Sequence, residues 1–164
     1  MYTNPVILRR ILPSDNQQLA AIIRAALVEF GANHQGTVYY DESTDHLSDL
    51  FEIQKSVYFV ALIDSQVVGG GGLFPTSGLP HDTCELVKMY LLPEFRGKGI
   101  GSMLLEQCLS NAKAIGYKKV YLESMPELAG ALAIYEKFGF QYLQGPLGNT
   151  GHFGCERWML KSLD

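Results

Sequence analysis

The sequence predicts an α/β fold of the α+β kind, a mixed central β-sheet of about six to seven strands flanked by about four helices. Three observations lead there. The periodic segments run in the order βαα, then a β-hairpin, then β–α–β–α–β–β. Hairpins pair their strands antiparallel, whereas strands joined through a helix pair in parallel, so both kinds of pairing must share one sheet. The strand over Glu85 to Leu92 also runs into a glycine-rich turn and then an amphipathic helix, which marks it as the centre of the arrangement.

Val6 to Ile11 reads as the first strand, stopped by Pro13. Ser14 and Gln17 form an S-x-x-Q capping-box pattern opening a helix. Its buried face is Leu19, Ile22, Ile23, Ala26, Leu27 and Phe30, and Gly31 supplies the stop. Asn33 to Tyr40 is a loop. A shorter helix from about Thr44 to Gln54 buries Leu47, Leu50 and Phe51. Val57 to Ile63 and Val67-Val68 flank the turn Asp64-Ser65-Gln66, a hairpin signal. Gly69 to Gly72 lead into Leu73, Phe74 and Pro75 rather than into a helix. They read as strand residues against which a neighbour packs closely or a bulge forms, not as a phosphate loop.

After the loop Thr76 to Asp82, strict alternation over the central strand places Glu85, Val87, Met89 and Leu91 on one face. Leu86, Lys88, Tyr90 and Leu92 fall on the other, and Pro93 ends regular pairing. Ile100, Leu104, Leu105, Cys108, Leu109, Ala112 and Ile115 mark a long amphipathic helix closed by Gly116. Lys119 to Glu123 is the next strand. Pro126 opens a helix with Leu128, Ala131, Leu132 and Tyr135 on one face, stopped at Gly139. Phe140 to Leu143 and Glu156 to Leu160 are the last strands, around the loop Gln144 to Cys155. No internal repeat or low-complexity linker interrupts the chain, so one domain over 1–164 is expected.

Composition narrows the class. Over 164 residues, 47% hydrophobic and 18% charged is ordinary globular composition, so a packed core is expected rather than disorder. A formal charge of −4 without a basic run argues against nucleic acid as the partner. The start has no apolar run of leader length, and the apolar runs elsewhere are too short to span a bilayer, so a cytoplasmic protein with no membrane partner is expected. Cys84, Cys108 and Cys155 are odd in number and lack C-x-x-C or His spacing. They read as reduced, mostly buried thiols, with no metal site.

Arg96-Gly97-Lys98-Gly99-Ile100-Gly101 enters a helix with three glycines at alternate positions. On its own the segment is either a sharp solvated turn or a receptor for phosphate, formed by uncovered N–H groups at a helix N-terminus flanked by two cations. It is neither a G-K-[ST] phosphate loop nor a G-x-G-x-x-G dinucleotide fingerprint. It does match Arg/Gln-x-x-Gly-x-Gly/Ala after a strand ending Met-Tyr-Leu-Leu-Pro-Glu-Phe. In that, it resembles the acetyl-CoA site of the GCN5-related N-acetyltransferases, the GNAT superfamily. Ala131-Leu-Ala-Ile-Tyr-Glu-Lys-Phe-Gly-Phe140 resembles a second element of that family, and the likeness covers roughly residues 6 to 160.

The resemblance implies an acetyl-CoA-dependent N-acetyltransferase of GNAT-like fold, acting by direct transfer to a primary amine through a tetrahedral intermediate. It places the pantetheine arm along Met89, Tyr90 and Leu91, and the pyrophosphate on the amides of Arg96, Gly97, Lys98, Gly99, Ile100, Gly101 and Ser102. Tyr135 matches the family tyrosine that serves as general acid, although it also continues a core stripe. Glu85 is the candidate base, or else a structural partner for a cation or hydroxyl, with Glu123 its rival. His34, His81 and His152 could accept a proton, although lone loop histidines are usually just solvated. The family's asparagine seven residues before the tyrosine is Leu128 here, so a cofactor contact is lost or replaced, by Ser124 or a backbone group.

Tyr39, Tyr40, His34, His81 and the Asn149-Thr150-Gly151-His152 loop are candidate lining residues for the acceptor. They hold no carboxylate cluster suited to polyamines, which favours a small-molecule amine such as an amino acid. Two alternatives stand beside this: a non-catalytic acyl-CoA sensor of the same fold, and a protein N-terminal or lysine acetyltransferase. The family resemblance also allows a homodimer.

Overall fold

The structure, a computed structural model, describes residues 4–164; the first three residues of the start examined for a leader lie outside them. Seven strands form one sheet in the order β1-β2-β3-β4-β5-β7-β6. The strands are β1 (Ile7–Arg10), β2 (Val57–Ile63), β3 (Gln66–Phe74), β4 (Thr83–Leu91), β5 (Lys119–Ser124), β6 (Gln141–Leu143) and β7 (Arg157–Ser162). Helices α1 (Asn16–Glu29) and α2 (Leu47–Leu50) cover one face, and α3 (Ile100–Ile115) and α4 (Ala129–Lys137) the other. Every pairing is antiparallel except β4 with β5, joined through α3. The mixed sheet and four helices agree with the fold class expected from element order.

Each face has its own core. Val57, Phe59, Ala61 and Ile63 of β2 pack with Ile100, Leu104, Leu105 and Cys108 of α3. Tyr58, Val60 and Leu62 point the other way, against Leu19, Ile22, Ile23 and Leu27 of α1. The period of two in the strand and the 3, 4, 7 spacing in the helices therefore meet as their patterns require. Cys84, Cys108 and Cys155 are buried free thiols.

Two helical expectations need correction. The S-x-x-Q pattern does not open α1. A 3-10 turn over Pro13–Asp15 precedes it, and the Asp15 carboxylate accepts from the Leu12 N–H at 2.8 Å and pairs with Arg9. The helix expected over Thr44 to Gln54 is one turn, Leu47–Leu50, preceded by 3-10 turns over Val38–Tyr40 and Glu42–Asp45. Asn16 anchors that turn, accepting from the Ser48 N–H at 2.9 Å and donating to its hydroxyl at 2.8 Å.

The four glycines of β3 have a packing reason. The Tyr58 ring lies across them: a Cβ on Gly70 would stand 2.6 Å from Tyr58 Cε1, and one on Gly72 would stand 2.7 Å from Cδ2. On the opposite face, Gly69 and Gly71 leave room for Leu91 and Met89. Crossing β3 in this way, Tyr58 donates from its buried hydroxyl to the Lys88 carbonyl of β4 at 2.7 Å.

At that point β4 departs from strict alternation. Lys88 has φ +52°, and the β3–β4 register slips by one residue between Gly70 and Gly72. This is a bulge. The expected face assignment is therefore wrong beyond Val87: Leu86 shares its side with Met89 and Leu91, while Val87 packs with Tyr90. Glu85 and Met89 are on opposite faces. β4 also pairs with β5 only over Thr83 to Glu85, so the strands separate well before Pro93, where a break was expected.

Tyr58→Phe would leave the Lys88 carbonyl without its donor, at a cost of about 1–3 kcal/mol, lowering the thermal midpoint by roughly 2–12 °C in a chain of this size. Gly70→Ala should cost at least as much, because its Cβ meets the rigid Tyr58 ring. An unchanged midpoint in Tyr58→Phe, measured by circular dichroism, would show that the hydroxyl does not hold the bulge.

Candidate active site

A cavity of about 730 Å³ opens where β4 and β5 part. From Leu86 onward, the edge of β4 facing β5 has no strand partner among the described residues, so its backbone groups are available to an extended ligand. The cavity is lined along β4 from Glu85 to Leu91, and continues past Arg96, Gly97, Gly99, Gly101 and Ser102. Gly97 and Gly99 take φ of +72° and +89°, conformations that favour glycine, and an added Cβ at either would meet nothing within 4 Å. Their surface lies open beside the first amides of α3, a sixteen-residue helix whose N-terminus favours anions.

Tyr135 lines the same cavity from α4, largely buried, with Phe140 edge-on at 5.8 Å. Burial, followed by the nearby Cys108, raises its pKa and keeps the phenol protonated. Ile100 is fully buried in the α3 core and does not line the cavity, so only its backbone can face a ligand. Lys98 is likewise absent from the lining. The Arg96 side chain braces the turn: Nε donates to the Leu91 carbonyl at 3.1 Å, the guanidinium pairs with Glu29, and it lies 4.9 Å from the Phe30 ring.

The other end of the cavity is polar. Glu85 is 5% exposed and accepts from the Thr76 hydroxyl at 2.6 Å. Burial pushes its pKa up to about 7, helped by the Glu123 charge and opposed by Thr76. Lys88, also buried, reaches Asp41 at 3.1 Å, and the same Asp41 oxygen lies 2.7 Å from His152 Nε2. Burial lowers the Lys88 pKa. At Asp41 burial would raise the pKa, but His152 and Lys88 outweigh it and hold the carboxyl below its ordinary range. At His152 burial pulls the pKa down, but Asp41 outweighs it and the net shift is upward. Glu123 accepts from Tyr121 at 2.7 Å and from Thr150 at 2.6 Å.

Several acceptor-side expectations change. Asn149, Thr150 and His152 line the cavity, whereas His34, His81, Tyr39 and Tyr40 do not. His152 is not a solvated loop residue. Asp41, Glu85 and Glu123 share the cavity, so the carboxylate cluster missing from the sequence pattern forms in space. Leu128 and Ser124 are both in the lining, at the position where the family asparagine is absent. Asp41 and Lys88 were missed. An aspartate in a loop carries no signal of its partner, although a lysine inside an apolar strand carries a faint one.

Comparison with known proteins adds to this geometry. The family model described as Acetyltransferase (GNAT) family matches residues 19–140. The chain is 38% identical over 158 residues to an uncharacterised N-acetyltransferase of Escherichia coli, YjgM, covering 96% of this chain and 95% of that one. Among solved structures, a GNAT-family acetyltransferase of Staphylococcus aureus superposes with a TM-score of 0.82 at 18% identity, covering 98% of this chain and all of the other. The acetyltransferase yncA of Salmonella typhimurium, solved with its cofactor acetyl-CoA, superposes at 0.75 with 17% identity, covering 98% and 95%.

Asp41→Asn is expected to drop the His152 pKa below the ordinary imidazole value, because burial then outweighs what remains. Histidine ring NMR across pH would record it. An unshifted titration would mean that Asp41 does not set the charge of His152.

Proposed function

This chain belongs to the GNAT family of acetyltransferases, and on that premise we propose that it transfers acetyl from acetyl-CoA to the primary amine of a small molecule, such as an amino acid or related amine. The reading treats 1–164 as one catalytic domain. The observation that carries it is the single cavity that joins an anion-suited helix N-terminus, an unpaired strand edge, Tyr135 and a buried Glu85.

Acetyl-CoA supplies a thioester carbonyl open to attack and a thiolate that can leave. Around it, the residues fit by shape. The open glycine surface and the first amides of α3, from Arg96 to Ser102, receive the pyrophosphate. Those amides carry the recognition, since the Arg96 side chain is engaged with Glu29 and Leu91. The free edge of β4 over Met89, Tyr90 and Leu91 takes the amide-bearing arm in the manner of an added strand.

Glu85 is the base. An amine attacks only when neutral, and a carboxylate titrating near 7 is ionised in good part at physiological pH, ready for the one proton that the attacking nitrogen must then lose. As the C–N bond forms, the amine proton passes to Glu85, directly or through water. As the C–S bond breaks, the Tyr135 hydroxyl gives its proton to the departing sulfur. Burial keeps Tyr135 protonated until then. The lining carboxylates Asp41 and Glu123 leave the acceptor end suited to a polar, cationic amine.

Release of free thiol from acetyl-CoA across amino acids, polyamines, aminoglycosides and peptides tests the reading. Acceptor-dependent release is expected, falling about 10²–10⁴-fold in Glu85→Gln and Tyr135→Phe. Tight acetyl-CoA binding with no release for any acceptor would put the sensor function in its place.

The pH profile gives a second check. The base works only when ionised and the amine attacks only when neutral, so kcat/KM should rise about a hundredfold per pH unit below about 7 and about tenfold per unit above it, up to the pKa of the acceptor amine. Glu85→Gln should lose the steeper limb and keep only the one set by the acceptor amine. A steeper limb that persists unchanged in the variant would remove Glu85 from the chemistry.

A further inference from the structure

Three side chains with metal-binding chemistry meet in the acceptor end of the cavity. Glu123 lies near the end of β5, and His152 and Cys155 lie on the segment before β7. One ligand atom from each, a carboxylate oxygen, a ring nitrogen and a sulfur, lies within 4.8 Å of the other two. We propose that Glu123, His152 and Cys155 bind a zinc-like divalent cation, with a fourth coordination position open to the cavity.

Donor chemistry supports the assignment. One thiolate, one imidazole and one carboxylate form a set that suits zinc, and three protein ligands with an open position are the arrangement of a reactive rather than a closed structural site. A tetrahedral ion with bonds of about 2.0–2.3 Å sets its ligand atoms roughly 3.5 Å apart. The triad therefore needs to draw in by no more than roughly 1.3 Å, and two of its members sit on an irregular segment containing Gly151 and Gly154.

Independent support comes from the sulfur and from the outer contacts. Cys155 is 8% exposed, lines the cavity, and its thiol has no hydrogen-bond partner among the described residues. Asp41 holds His152 Nε2 at 2.7 Å, which fixes the ring and leaves Nδ1 for the ion. A carboxylate behind a ligating histidine is the usual outer support of such a site. Each Glu123 oxygen already accepts one hydrogen bond, from Tyr121 or Thr150, and retains a lone pair. The three ligands line the cavity, which supplies the entry path. On binding, the Cys155 thiol releases its proton to solvent and its sulfur lone pair forms the bond to the cation.

Cobalt(II) titration of the chelator-treated full chain tests the proposal without any acetyl transfer, so its outcome is separate from that of the proposed activity. One equivalent should bind, with tetrahedral visible absorption and a thiolate-to-cobalt charge-transfer band that zinc abolishes. Cys155→Ser should lose the charge-transfer band, whereas Cys84→Ser and Cys108→Ser should keep it. Asp41→Asn, which leaves all three ligands in place, should weaken binding about 10–100-fold. Circular dichroism of each variant controls for folding. No charge-transfer band in the wild type, or one that survives Cys155→Ser, would overturn the site.

Discussion

The hydrogen bond from Tyr58 to the Lys88 carbonyl is the constraint on which the cavity depends. It links β2 to β4 across an intervening strand, which is possible only because β3 presents glycine beneath the ring. The carbonyl it holds belongs to the residue with left-handed backbone at the bulge. A non-glycine residue there is strained, and such strain persists only where its surroundings over-determine it. The buried phenol and the one-residue slip against Gly70 and Gly72 are those surroundings. β4 has already parted from β5 at Leu86, the bulge follows two residues later, and the space between the strands is the cavity.

Much of the fold was legible in the chain because burial imposes two simple periods. The apolar run Val57 to Ile63 is buried on both faces of the sheet, and the helical spacing from Leu19 to Leu27 points one face at a core, although Phe30, expected on that face, is exposed. The glycine turn was legible for a different reason: uncovered amides require residues without side chains. The lost alternation in β4 was not legible, since a single lysine with positive φ leaves no mark in a hydrophobicity pattern. The short second helix failed similarly, because apolar residues at Leu47, Leu50 and Phe51 fit one turn with flanking 3-10 geometry as well as they fit a longer helix. Of the site, the parts carried by one continuous segment were readable. Asp41 and Lys88 were not, and the role of His152 beside them was not, because the three come from distant segments and each is informative only through the others.

That trio changes the electrical character of the acceptor end. Lys88 and His152 converge on one Asp41 oxygen, so a half-buried carboxylate remains ionised between two potential cations. Glu85, with only the Thr76 hydroxyl as its hydrogen-bond partner among the described residues, bears its desolvation with much less compensation. Two carboxylates in one cavity are thereby held in different protonation regimes, one locked as a charge and one poised to exchange a proton.

The sheet holds together across β4 and β5 through only three residue pairs, Thr83 to Glu85 with Lys119 to Tyr121. β2, β3 and β4 form an antiparallel meander closed by short loops, whereas β1 joins it through α1 and α2, and the seam with β5 through α3. The cleft is thus a joint between two halves of the sheet that meet across a helical connection. A molecule lying in it touches both halves and is absent from the unfolded chain, so its binding adds to the cooperativity of the whole by mass action. The cleft is also where the two halves of the sheet share few backbone pairs, and a ligand lying on the free edge of β4, as proposed, would act there as a removable strand.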